Sequence, residues 1–573
     1  MARSVRRMFR ALAMACVLTA AMAPANAAAS ATQESLLQDD NQLVYASPSH
    51  AEAVLAQLAS LGIERIRISV IWALVAPDPM STTRPNFDAT NPAAYPAGAW
   101  DRYDVLVTDA QALGLKVDFN FTSPAPYWAT MRAPPSINSK FDKNYFPSAV
   151  QFGQFVKAVG TRYSGSYVTH TPASPPTPPP TLFGLPLPPG LTGTTSTSTP
   201  AASAPLPRVD YWEIWNEPNE AGWLTPQWQR GPNLPPVHGH KPRTNWVEDS
   251  PVVYRGLLDH AWNALAATGH GGDTILVGDT SAKGSPNHGI LQAMPPMTFL
   301  RALYCVGHSF RPLTGTRAAE LSCPTAGLPG AFGAAHPALL QATGYAHHPY
   351  SFTLAPNVRS KDPTWATLAD LPRFENALRR IYSSYSVPAP GGVPLYLTEY
   401  GYKSDPPNPF VKISEAQQAE YINEGEYMAW SAPYVRSLGQ FELVDAGPET
   451  NQPVGSKAYW GNFQTGLISI GGVPKPSYFA YRLPIWLPDP HTGPRVTVWG
   501  QLRPAEHASA QTAFIEYAPA GASAFTVIRQ VQTASPEGFI LAHLALSKPG
   551  LLRLAWIDPA TGQVFRSRIV SVR

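Results

Sequence analysis

From about residue 47 the chain alternates between two hydrophobic periods. Ser47–Leu61 carries apolar residues at Val54, Leu55, Leu58 and Leu61, the spacing of one helix face, and Gly62 ends it. An apolar run, Arg65–Ile71, follows and reads as a strand. The unit recurs as a helix over Tyr103–Leu113, Gly114, and a strand over Lys116–Phe121. Further short strands are predicted at Tyr211–Trp215, Thr274–Gly278, Gly344–His347, Leu395–Thr398 and Leu438–Leu443, with a first one near Leu36–Val44. Helices are predicted around Ala149–Tyr163, Val252–Ala267, Trp365–Tyr385 and Glu415–Trp430. Short buried strands, each followed by a helix, call for a parallel sheet. Eight such units call for an α/β fold closed as a (β/α)8, or TIM, barrel. The rival is an open doubly wound sheet, but no Gly-rich phosphate loop follows the first strand.

Two stretches depart from this repeat. Residues 169–208 form a Pro/Thr/Ser/Gly-rich tract, read as an extended surface insertion between a helix and the next strand. That position puts it on the barrel's N-terminal face, away from any strand-end chemistry. A docking or glycan-bearing arm is the alternative to a tolerated insertion. From about residue 491 the runs Arg495–Trp499, Ala513–Tyr517, Ala524–Gln530, Gly538–Leu544, Leu551–Trp556 and Val564–Val572 predict a small antiparallel β domain. Its aromatics, Phe514, Tyr517, Phe525, Phe539, Trp556 and Phe565, fall at strand spacing, which favours packing over a glycan-stacking face. The expected division is thus residues 1–27, then 28–490 for the barrel, then 491–573.

Residues 1–27 have their own logic. Arg3 to Arg10 precede an apolar run from Ala11 to Ala23, and Ala25-Asn26-Ala27 is a small-x-small cleavage site. This is the order of a secretory signal peptide, which predicts a secreted (extracellular or periplasmic) chain with no membrane attachment after cleavage. Arg6-Arg7 resembles a twin-arginine signal, yet Val5 departs from it, so the export route stays open. Removing four arginines leaves 38 basic residues against 39 acidic ones, with no basic stripe to follow a phosphate backbone. Nucleic acid is therefore not an expected partner, and a monomer is the expected state. Cys16 leaves with the leader. Cys305 and Cys323 then form the expected disulfide of an exported protein, with two buried thiols as the alternative.

Chemistry concentrates at two strand ends. Tyr211–Trp215 runs into Asn216-Glu217-Pro218, and Leu395–Thr398 runs into Glu399-Tyr400-Gly401. Barrel enzymes hold their reacting groups at such C-terminal strand ends. Two glutamates facing one cavity are what cleavage of a glycosidic bond requires, one as proton donor and one at the anomeric carbon.

Trp215-Asn216-Glu217-Pro218 and Thr398-Glu399-Tyr400-Gly401 resemble the fourth- and seventh-strand signatures of the retaining clan A glycoside hydrolases, most closely families 5 and 39. The resemblance covers roughly residues 35–485 and is specific for the clan rather than for a family. It implies Glu217 as acid/base, Glu399 as nucleophile and Asn216 at the sugar 2-hydroxyl. It further implies that Tyr350 of His348-Pro349-Tyr350 contacts the nucleophile and that Arg67 hydrogen-bonds it. Many members place a stacking Trp at the eighth strand. This chain has Gln440-Phe441-Glu442-Leu443 there, leaving Trp460 as the candidate platform. The resemblance also implies a β-linked oligo- or polysaccharide substrate. No cofactor and no metal is expected: His347 and His348 are adjacent on a strand and point to opposite faces, and His238/His240 lack partners. Repulsion from Glu399 is expected to keep Glu217 protonated in the resting site. A transglycosylase using the same glutamates, and a non-catalytic carbohydrate-binding barrel, are the alternatives.

Overall fold

The computed structural model describes residues 30, 33–137, 140–169, 204–231 and 245–573. The signal-peptide expectation, most of the Pro/Thr/Ser-rich tract and His238/His240 lie outside the described residues.

Eight parallel strands close into a barrel: β1 (Glu34–Gln38), β2 (Arg65–Ile71), β3 (Lys116–Thr122), β4 (Tyr211–Ile214), β5 (Thr274–Ser281), β6 (Gly344–His348), β7 (Leu395–Tyr400) and β8 (Val435–Phe441). Each pairs with its neighbours in sequence, and β1 closes on β8 through Glu34↔Ser437 to Gln38↔Phe441. The first strand is shorter than expected, because the chain turns at Asp39, which accepts backbone N–H bonds from Gln42, Leu443 and Val444. The helix expected from Trp365 begins at Leu371, after a short 3-10 turn capped reciprocally by Thr367 and Asp370.

Alternation along the strands sorts the side chains into two environments. Outward residues such as Ile66, Ile68, Val70, Phe119, Phe121, Trp212 and Ile214 join the large core against the helices. Helix Pro48–Leu61 meets it with Val54, Leu55, Leu58 and Leu61, all buried, and Gly62 ends that helix in the left-handed region. Inside the barrel, Tyr211, Leu276, Ala346 and Tyr396 form a small apolar floor, and the Arg65 guanidinium lies 4.0 Å from the Tyr211 ring centre. Above that floor the interior is polar, a departure from the usual stacked layers of branched apolar residues.

The connection from β5 to β6 holds several short helices, and Cys305 and Cys323 are bonded there with Cα atoms 5.8 Å apart. The ends of the Pro/Thr/Ser-rich tract meet on the N-terminal side of the barrel, where Val168 pairs with Pro205 and Leu206 N donates to Tyr167 O at 2.9 Å. After the last barrel helix, Pro476–Arg482, the chain forms two antiparallel sheets with their own core. Sheet pairing starts at Ile485–Trp486. Tyr517, Trp556 and Phe565 are buried in that core, while Phe539 packs on Trp430 and Trp499. No helix among the described residues is long and apolar enough to cross a membrane.

Arg503 fastens the sheets to the barrel. It bonds Tyr481 O and Ser35 Oγ, lies over the Tyr481 ring and pairs with Glu426. Burial pushes the Glu426 carboxyl up to about 7 even against the nearby Arg503 charge. A carboxyl raised on folding stabilises the fold fully below its unfolded value near 4.5, and that contribution is lost as pH rises through about 7. Thermal unfolding of Glu426→Gln should therefore vary less with pH between 4.5 and 7 than that of the wild type. Parallel curves for the two proteins would contradict the assignment.

Candidate active site

Arg67 organises the polar interior. Its guanidinium is fully buried, and each of its five N–H donors meets an acceptor from another strand or strand end. Nε donates to Glu213 Oε2 at 2.7 Å; Nη1 donates to Glu399 Oε1 at 2.7 Å and to Gln38 Oε1; Nη2 donates to Asp279 Oδ2 at 2.6 Å and to Asn216 Oδ1 at 3.0 Å. Burial works against this charge, but Asp279, Glu213 and Glu399 outweigh it and hold the group protonated.

Three interruptions of strand alternation bring the acceptors in. On β4, Trp215 has φ 71° and Glu217 φ 37°, conformations uncommon for side-chain-bearing residues. The turn at Trp215 sends its ring outward onto Phe152, at 5.2 Å between centroids, and leaves Asn216 facing Arg67. On β5 the pairing with β6 slips between Gly278 and Thr280, a β-bulge. Gly278 has φ 101°, and a Cβ there would lie 2.3 Å from the Tyr345 ring. The bulge turns Asp279 inward and lets Thr280 face out to His347. On β7 the register with β8 slips between Leu397 and Tyr400, so Thr398 and Glu399 both reach inward groups. A Cβ at Gly439, on the facing strand, would lie 2.4 Å from Thr398 O.

Asp279 links the cations. It accepts from Arg67, Asn120 Nδ2 (2.8 Å) and Thr398 Oγ1 (2.9 Å), and its Oδ1 lies 2.8 Å from His348 Nε2, an ion-pair contact off the line of a well-directed hydrogen bond. Burial raises the Asp279 carboxyl, but Arg67 and His348 prevail and hold it far below the ordinary range. His348 Nδ1 is 2.9 Å from Glu217 Oε1 and 3.5 Å from Glu399 Oε2. Burial disfavours the imidazolium, yet Glu399 and Asp279 raise it well above the ordinary value. His347 points the other way, between Thr280 and Ala366 O, and burial lowers it to about 4, so it is neutral.

Glu399 is therefore held at both oxygens, by Arg67 on Oε1 and by Tyr350 Oη on Oε2 at 3.0 Å. Burial pushes its carboxyl up, opposed by His348 and Arg67 and reinforced by Glu217. One oxygen from each of Glu217 and Glu399 and one His348 nitrogen all lie within 4.8 Å of one another. These donors could surround a metal ion by distance alone. However, both His348 nitrogens face carboxylates, the arrangement of a protonated ring rather than a ligand. Arg67, Asn216, Glu217, His348, Tyr350 and Glu399 are thus brought together as expected.

Among the described residues no side-chain hydrogen bond or ring contact joins Trp460 to this group; it is half-buried, with its ring on Tyr459 at 5.2 Å. Phe441 and Phe463 instead flank Tyr350, at 6.5 and 5.9 Å between centroids. Asp279, Glu213, Asn120 and Gln38 are site residues that strand-end motifs did not reveal. Asp279 lies one residue past the predicted end of its strand, and the Gly278 beside it was the one available signal. The expectation for Glu217 set Glu399, held by Arg67, against it and gave His348 no charge. The structure adds His348 as a second cation beside Arg67, and the two offset the mutual repulsion of the carboxylates.

No protein-family model and no curated protein matches the chain. Solved structures similar to it include GH5_18 from Streptomyces cattleya in complex with GlcNAc, at 12% identity over 79% of this chain and 80% of that one, with a TM-score of 0.42. A beta-glucosidase from Thermotoga maritima in complex with castanospermine is similar at 12% identity, 76% and 85% coverage and a TM-score of 0.41. Bacteroides uniformis beta-glucuronidase 2 is similar at 10% identity and a TM-score of 0.35; the chain, covered over 95% of its length, spans 46% of that protein.

Asp279 supplies one of the carboxylates that keep His348 charged. In Asp279→Asn the His348 imidazole should lose its proton at lower pH, as read by NMR of histidine labelled with nitrogen-15. An unmoved titration would show that Glu217 and Glu399 suffice.

Proposed function

We propose that the protein is a secreted glycoside hydrolase that retains anomeric configuration, acting on a β-linked oligo- or polysaccharide. The observation that carries this reading is the approach of Glu217 and Glu399 oxygens to within 4.8 Å. Retaining sites place their two carboxyls about 5–5.5 Å apart, whereas inverting sites leave roughly 6.5–9.5 Å for a water.

In the first step a Glu399 oxygen attacks the anomeric carbon while Glu217 protonates the departing glycosidic oxygen. In the second, Glu217 takes a proton from water, which displaces Glu399 from the sugar. Arg67 and Tyr350 orient the two oxygens of Glu399, so the attacking lone pair needs little reorganisation. His348 holds a proton 2.9 Å from Glu217 Oε1, beside the group that must deliver one. In this reading Asn216, whose Oδ1 accepts from Arg67, bonds a substrate hydroxyl. Export is supported by the leader-like residues 1–27 and by the Cys305–Cys323 bond.

Activated 2-deoxy-2-fluoro glycosides should leave a covalent adduct on Glu399, located by peptide mass mapping; an adduct on another residue overturns the assignment. Glu217→Ala should lose about 10²–10⁴-fold on substrates with poor leaving groups and far less on activated aryl glycosides. Equal losses on both would remove Glu217 from the acid role. Because Glu399 reacts when ionised and burial raises its carboxyl, the acid limb of kcat/KM should lie above the ordinary glutamate value of 4.5.

A further inference from the structure

Two ammonium groups stand beside this site with no carboxylate within ion-pair distance among the described residues. Lys283 follows β5, and its Nζ lies 4.0 Å from the centre of the Phe352 ring. Lys403 follows β7; its Nζ lies 5.0 Å from the Phe463 ring centre and donates to Gly461 O at 3.1 Å and Asn462 O at 2.6 Å. Phe352 and Phe463 each pack on Tyr350, at 6.3 and 5.9 Å between centroids, and Tyr350 Oη holds Glu399. One aromatic ring therefore separates each ammonium from the side chain that grips the candidate nucleophile. Among the described residues, lysine ion pairs form at Lys116 and Lys475, not at these two.

The acids that attract them, Glu442 and Glu220, do so from beyond ion-pair distance. Glu442 acts on Lys403, and burial together with Asp39 and Asp445 raises its carboxyl well above the ordinary range. Glu220 faces Lys283 but bonds Ser281 Oγ, and burial and Glu217 push it up to about 7. Burial also lowers Lys403 to about 8 against the opposing charge of Glu442, with the charges of Lys283 and Lys457 adding to the effect. Lys283 is exposed and Lys403 half-buried, both on the side of the Tyr350 cluster, and an anion bound between them would gain from both charges.

We propose that Lys283 and Lys403 form a subsite for an anionic group carried by the glycan, a hexuronate carboxylate or a sulfate ester, beside the sugar that reacts at Glu399. This deepens the glycoside hydrolase reading and rests on it. Lys403 also ties down the Gly461–Asn462 loop through those two bonds, and the test separates the two roles.

Matched aryl β-glycosides, one neutral hexoside, one hexuronide and one sulfated hexoside, would be assayed with the wild type, Lys283→Met, Lys403→Met and Lys403→Arg. An anionic glycoside should exceed the neutral one in kcat/KM by about 10-fold or more. That ratio should fall at least tenfold in either Met variant, mainly through KM, and recover in Lys403→Arg. The better of the two anionic arms identifies the group. A neutral substrate preferred by the wild type, or a ratio unchanged in both Met variants, overturns the subsite. If no glycoside turns over and none labels Glu399, the hydrolase reading fails on its own. Calorimetric binding of neutral, uronate and sulfated oligosaccharides then decides the subsite. Anionic binding lost in the Met variants sustains it, and equal or absent binding overturns it.

Discussion

A guanidinium sealed inside a barrel must have every N–H satisfied, and most of this molecule's interior follows from that demand. Arg67 draws its acceptors from Gln38 on β1, Glu213 and Asn216 on β4 and its end, Asp279 on β5 and Glu399 on β7. Removing any one of them would leave a buried donor unpaired, at about 1–3 kcal/mol. The strands must therefore close in one register for the cation to be tolerated at all. Placement of Glu399 is a by-product of the same requirement, so fold stability and site geometry share their key residue.

The charge arrangement follows in turn. Arg67 and His348 stand among Glu213, Glu217, Asp279 and Glu399, and Asp279 bridges the two cations. Asp118 extends the cluster toward the floor, where burial and the neighbouring Glu213 push its carboxyl well above the ordinary range. The site is thus tuned by a set of compensating charges rather than by two carboxylates acting on each other.

Much of this was legible in the sequence, and the reasons it was not elsewhere are specific. Period-two runs identified all eight strands, because outward residues such as Phe119, Trp212 and Leu397 pack on helices and must be apolar. Strand-end glutamates identified Glu217 and Glu399, because Pro218 and Gly401 mark where those strands stop. Asp279 was hidden because a bulge at Gly278 reverses its direction, and alternation assigns it to the wrong face. Phe463 and Phe441 were hidden because they meet Tyr350 only after loops from different strands converge. The lysines beside them were silent for the same reason: nothing local distinguishes an ammonium one ring away from Tyr350 from any other surface lysine.

The meeting of Val168 with Pro205 gives the barrel a second handle. Chain leaves and re-enters there through one narrow neck, on the end of the barrel opposite Glu217 and Glu399. Material spliced into that neck can grow or shrink without altering the spacing of the flanking helix and β4. The molecule can therefore be fused, tethered or immobilised from behind, with the strand ends that carry Glu217 and Glu399 left free.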